Sequence, residues 1–208
     1  MGDGPPPVTP PILVIAAPIQ GLYGTTYSIF LLSPTGTFIK LIARFNRLSY
    51  TLAANGIGVC KLTLPPTFPL SFVQEDSRLL IWRQVPGGRK YLDGDAVWLI
   101  RDWEESINQQ GKQEYTLLAY TASEILDRAI IAYSQGSTYG SKASAPLDNI
   151  IKALVRENLG SLATDTTRNI STYLVVEADL SLGPSAPKTA PWRKLLPTLR
   201  ELAQTADD

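Results

Sequence analysis

Arg78-Leu-Leu-Ile-Trp-Arg-Gln-Val85 runs into Pro86-Gly-Gly88 and emerges as Lys90-Tyr-Leu92. Two apolar stretches flank a turn in which proline presets one dihedral and glycine supplies the positive φ that other residues avoid. That pattern predicts a β-hairpin, and the neighbouring sequence repeats it. In Val59 to Leu64, Cys60, Leu62 and Leu64 share one face while Val59, Lys61 and Thr63 share the other. Pro65-Pro66 ends that strand, because proline cannot donate to a ladder. In Phe38 to Phe45, Ile39, Leu41, Ala43 and Phe45 alternate with Lys40 and Arg44. Ala96 to Trp103 and Glu114 to Tyr120 flank a polar turn around Asn108 to Lys112. Short strands at this spacing read as an antiparallel barrel or sandwich.

Helices are few. Thr121-Ala-Ser-Glu124 has capping-box spacing and predicts a short helix from Ala122 to Arg128. Leu147, Ile150, Ile151, Leu154 and Val155 form one apolar stripe of an amphipathic helix, with Pro146 in its first turn and Gly160 at its end. Leu195, Leu196, Leu199 and Leu202 predict a last helix within Trp192 to Ala206, starting or bending at Pro197. Ser134 to Ala145, rich in Ser, Gly and Ala, reads as a flexible connector. The expected class is therefore β-rich α+β, an antiparallel barrel or sandwich with two or three short helices.

The chain has 208 residues, with 19 basic and 19 acidic side chains. A formal net charge of zero gives no overall attraction to nucleic acid or anionic membrane and weakens the self-repulsion that keeps copies apart. The first 70 residues hold five charged side chains (Asp3, Lys40, Arg44, Arg47 and Lys61) and ten of the 16 prolines. Such charge depletion suits strands covered on both faces or a surface that another chain covers. One cysteine rules out an intrachain disulfide. The apolar runs, such as Ile12 to Ala17, are too short to span a bilayer, and the start Met1-Gly-Asp-Gly-Pro lacks a signal peptide's basic and apolar regions. A cytoplasmic site of synthesis is expected.

Histidine is absent. That excludes a Ser-His-Asp triad, a Cys-His dyad and a His-ligated metal. Cys60 lies on an apolar strand face, where a thiol acts as a small hydrophobe. Ser185-Ala-Pro-Lys188 has the spacing of acyl-serine enzymes, but Pro187 denies it the helical turn that would bring lysine onto serine. Gly136 to Lys142 and Gly56-Ile-Gly58 fall short of phosphate-binding loops and read as turns. Asp93-Gly-Asp95 reads as a turn between strands, lacking the spaced ligands of a calcium loop. Asp102, Glu104 and Glu105 could serve as paired acids in glycoside hydrolysis, but read first as solvated residues at a strand end. Trp82, Trp98 and Trp103 interleave with Arg78, Arg83 and Arg101, residue types enriched at interface hot spots, though each also suits cross-strand packing. Arg78, Trp82, Trp98, Arg101 and Trp103 are the candidate partner-contact residues; no cofactor or metal is expected.

Taken in order, Asn55 to Pro65, Asp76 to Arg83, Leu92 to Arg101, Ala119 to Arg128 and Asp148 to Asn158 ahead of Leu159-Gly160 resemble bacteriophage tail proteins of the baseplate-hub type. These are siphovirus tail proteins related to the central hub of contractile tails, and the likeness covers roughly residues 37 to 205. The resemblance implies barrel domains related to tail-tube subunits and a ring, commonly a trimer, at the tube's tip. Partners would be further copies, a tail-tube or distal tail protein, and a spike or central fibre protein, within a virion assembled in the bacterial cytoplasm. Membrane and specific nucleic acid are not expected partners. Family members tend to continue into further strands beyond the last helix, so the chain is expected to be a fragment or a reduced version, carrying only the start of a second domain. The organisation expected is a Pro-rich arm with the first strands over 1–36, a tail-tube-like barrel over 37–133, and a linker, amphipathic helix and start of a second domain over 134–208. The competing expectations are a tail-associated glycan hydrolase using Glu104 or Asp102, and a glycan-binding module stacking sugars on Trp98 or Trp103.

Overall fold

The computed structural model describes residues 19–20, 24–53, 56–132 and 140–207. The Pro-rich start and most of Gly136 to Lys142 lie outside the described residues. In chain order come β1 (Ile19–Gln20), β2 (Thr26–Leu32), β3 (Phe38–Ile42), β4 (Arg47–Thr51), β5 (Val59–Leu64), β6 (Arg78–Gln84), β7 (Tyr91–Ile107) and β8 (Gln113–Thr121). There follow α1 (Ser123–Arg128), β9 (Ser141–Pro146), α2 (Leu147–Asn158), β10 (Ser185–Thr189) and α3 (Leu195–Asp207). The chain divides into two compact units, one of Met1–Tyr50 with Cys60–Ala119 and one of Thr51–Val59 with Tyr120–Asp208.

In the first unit, strands β1 to β8 form one sheet in the order β1-β2-β6-β7-β8-β5-β4, with β3 also on β2. The β1–β2, β2–β3, β2–β6 and β6–β7 pairs are antiparallel. Hairpin chemistry accounts for the sharpest corner. Pro86 leads, Gly87 takes φ 72°, and the Gly88 N–H donates to the Val85 carbonyl, which is a type II turn. The alternation in β5 holds: Cys60, Leu62 and Leu64 are fully buried. They join Ile29, Leu31, Leu79, Ile81, Trp98, Ile100 and Leu117 in one core. Each such aliphatic side chain contributes about 1.5–3 kcal/mol of burial.

That core bends the sheet. Strand β4 stands three positions from β7 and five from β2, so a flat sheet would separate them by about 14 and 24 Å. Yet Tyr50 of β4 meets Trp98 of β7 edge-on at 5.7 Å between ring centroids, and it packs with Tyr27 of β2 against the same core. Only a strongly curled sheet brings those side chains together. Among the described residues no strand pairing joins β4 to β1 or β3, so the sheet is curled but open there, and the expected closed barrel is not formed by its ladder.

Two expectations need correction. Asp93-Gly94 is not a turn between strands: it lies inside the 17-residue β7. Gly94 adopts φ 65° there, where the register against β6 slips between Leu80 and Trp82. The glycine serves a bulge, which a single sequence shows in the same letters as a turn. Strand β3 ends at Ile42, whose side chain enters the core, so the alternation does not continue to Phe45.

The second unit packs α1, α2 and α3 with the β9–β10 ribbon around Ile131, Leu147, Ile150, Leu154, Leu195 and Leu199. Helix α2 matches its predicted stripe, and Pro146 is its N-cap. Gly160 closes it by proximity rather than by positive φ, since a Cβ there would meet the Arg156 backbone at 2.8 Å. Pro197 sits in the first turn of α3, where its missing N–H costs nothing. Helix α1 is present, but the capping box is not: Ala122 is its N-cap, and Thr121 Oγ1 instead accepts the Gly58 N–H. Ser141 to Ala145, expected within a flexible connector, belong to β9 and pair with β10.

Candidate functional site

Strand parity sorts the candidate contact residues. On β6, Leu79 and Ile81 face the core, so Arg78 and Trp82 face outward. On β7, Ala96, Trp98 and Ile100 face the core, so Arg101 and Trp103 face outward. Trp98, 0 % exposed, therefore offers no surface to a partner or a sugar ring. Arg78 donates to the Pro34 carbonyl at 2.7 Å, and Arg101 is bridged to Glu75 at 2.9 Å and Asp76 at 2.6 Å. Trp103 is 41 % exposed. The structure thus separates the five, placing one inside and engaging two with loops of the same chain.

Beyond Arg101, β7 leaves the core. Asp102 to Ile107 are all exposed, so both faces of the strand meet solvent, and β8 returns beside it. Gly111, at φ 74°, turns the tip, and its N–H donates to the Asn108 carbonyl. One face of the projecting strand presents Trp103, Glu105 and Ile107; the other presents Asp102, Glu104 and Ser106. Glu105 accepts from Gln113 Nε2 and Ile107 is 75 % exposed. Asp102 and Glu104 border a dent of about 100 Å³, well below the several hundred Å³ of a ligand pocket.

The second unit holds a wider groove of about 520 Å³, floored by Ile125, Ala129, Leu159 and Ile170 and rimmed by Arg168 and Trp192. The strip Ala129 to Ala132 builds one wall. Its backbone is fixed by Ile131 N–H to the Arg193 carbonyl, Leu195 N–H to the Ala129 carbonyl, and Ala132 N–H to Oδ1 of the buried Asn158. Trp192 donates its N–H to the Ile131 carbonyl and adopts φ 61°. That region costs an L-residue about 1–2 kcal/mol, yet the indole is 65 % exposed. Arg168 donates to the Ile130 carbonyl, and Arg128, also on the groove, pairs with Glu124 at 2.8 Å. Sequence reading missed this groove, because three distant segments build it and none carries a motif.

Buried chemistry lies elsewhere. Burial pushes the Cys60 thiol up to about 12, which makes it unreactive. Burial, then its hydrogen bond to Asp93, holds the Tyr50 hydroxyl well above the usual tyrosine range. Lys188 pairs with Glu201 at 2.6 Å rather than with Ser185. No group of three or more metal-ligating side chains occurs among the described residues.

No family model matches the chain, and no curated protein matches it. Among solved structures it is similar to the tail protein from Neisseria meningitidis MC58, with a TM-score of 0.48 and 10 % identity. The alignment covers 86 % of this chain and 45 % of that one, so the chain spans under half of that protein's length.

Proposed function

We propose that the chain is a structural subunit of a phage tail tip or baseplate hub, forming a ring that joins the tail tube to a spike or central fibre. Support comes from the ordered resemblance. Its stretches form β5, β6, β7, the end of β8 with α1, and α2 in succession, and the sheet they build is curled enough for Tyr50 to reach Trp98. The carrying observation is the exposed surface. Ile107, Trp192, Val175, Leu180 and Leu182 all stand in solvent, and the last three crowd one segment, whereas apolar exposure on a monomer is usually scattered. A chain of zero formal charge offers little resistance to covering that surface with further copies. In this reading the curled sheet of the first unit supplies a rigid ring segment, and the protein contributes assembly rather than bond-breaking chemistry.

Light scattering on the purified chain, alone and with neighbouring tail proteins, tests this. A mass of several copies is expected; a strict monomer in both conditions would overturn it.

A further inference from the structure

We infer that neighbouring copies join head to tail, the acidic β7–β8 hairpin of one copy seating in the Trp192 groove of the next. The inference rests on the ring reading above and names the contact that would build it.

The two surfaces match in chemistry and spacing. The hairpin face carries Trp103, Glu105 and Ile107 at alternate positions of one strand, so its two apolar ends lie about 13 Å apart with a carboxylate between them. The groove offers an apolar floor of Ile125, Leu159 and Ile170 with Arg168 at its rim. Glu105 receives a hydrogen bond from a neutral donor, Gln113, which leaves its charge intact. Around it, Asp102 and Glu104 make the projecting strand acidic, and among the described residues the groove is lined by Arg128 and Arg168 with no acidic side chain. Each surface alone is costly: an isolated ribbon exposing Ile107, and a tryptophan held at φ 61° with most of its indole in water. Strain retained at an exposed aromatic is accounted for when that aromatic contacts another chain.

The contact is heterologous, since hairpin and groove are different surfaces, and repetition of such a contact generates a closed ring or an open helix rather than a two-fold dimer. Every copy would be engaged twice, once as donor and once as acceptor. A bare carboxylate ligand would leave the apolar floor uncovered, whereas the hairpin covers floor and cation together.

The test uses the full chain. Glu105→Lys and Trp192→Ser should each weaken self-association about 30-fold, the size of a hot-spot loss, with unchanged thermal melts. Combining Glu105→Lys with Arg168→Glu should restore association, since the charges are exchanged across the contact. Independently, Ile107→Cys with Ile130→Cys should form intermolecular disulfides under oxidation; the native Cys60 is buried. If the wild-type chain associates but the single variants associate equally well and no cross-link forms, this contact is wrong and the ring reading survives. A wild-type chain that stays monomeric at the highest concentration reached removes both.

Discussion

Replacing Tyr50 with Phe removes one oxygen and leaves the ring against Trp98. In the wild-type chain that hydroxyl donates to the Asp93 carboxylate. Asp93 sits on β7, so the oxygen ties β4 to a strand that the ladder leaves three positions away. A hydrogen bond to a charged acceptor is worth about 1.5–3 kcal/mol net, and Tyr50 is only half-buried, so a loss near 2 kcal/mol is expected. Adding Asp93→Asn should cost less than the sum of the single changes, because Asn no longer strands a charge. Denaturant unfolding measures this directly, and an unchanged m-value keeps the comparison two-state. A loss below about 0.5 kcal/mol would place the hydroxyl in water. It would refute the claim that side chains hold the curl where no strand pairing does.

Alkaline stability should follow Cys60. Its thiol rises from 9.0 to about 12 on folding, so the unfolded chain ionises first. Stability is then complete below pH 9 and falls by up to about 1.4 kcal/mol per pH unit as pH rises toward 12; Cys60→Ala should flatten that slope, while tyrosine ionisation adds its own above pH 10. The acid side belongs to the second unit. Asp148, held low first by its Lys152 hydrogen bond, and Glu201, held low first by Lys188, retain stability above their ordinary values. That contribution should disappear as pH falls below about 4, and high salt should shrink it. Glu157, 3 % exposed, pairs with Lys142. Glu157→Gln should cost about 3–5 kcal/mol by stranding the ammonium, whereas Glu157→Leu with Lys142→Met should cost far less; thermal unfolding distinguishes the two.

Much of the fold was legible where one local rule acted alone. Strict alternation placed Cys60, Leu62 and Leu64 in the core, and Pro86-Gly87 marked its turn because few residues other than glycine accept that φ. The apolar stripe of α2 was equally plain. Legibility failed where one residue type serves two ends. Gly94 reads the same in a bulge as in a turn, and Thr121 could cap α1 or bind Gly58. Composition marked Trp82, Trp98 and Trp103 alike, but only strand parity, known once the register is known, buries Trp98 and exposes Trp103. The Trp192 groove needed tertiary structure altogether, because Ile125, Leu159 and Ile170 meet only after the second unit folds.

Electron-microscope class averages of the purified chain address assembly most directly. Closed rings of touching copies, disrupted by Trp192→Ser, are the predicted image. Solitary particles at every concentration, with the wild type and the variant indistinguishable, would contradict the account.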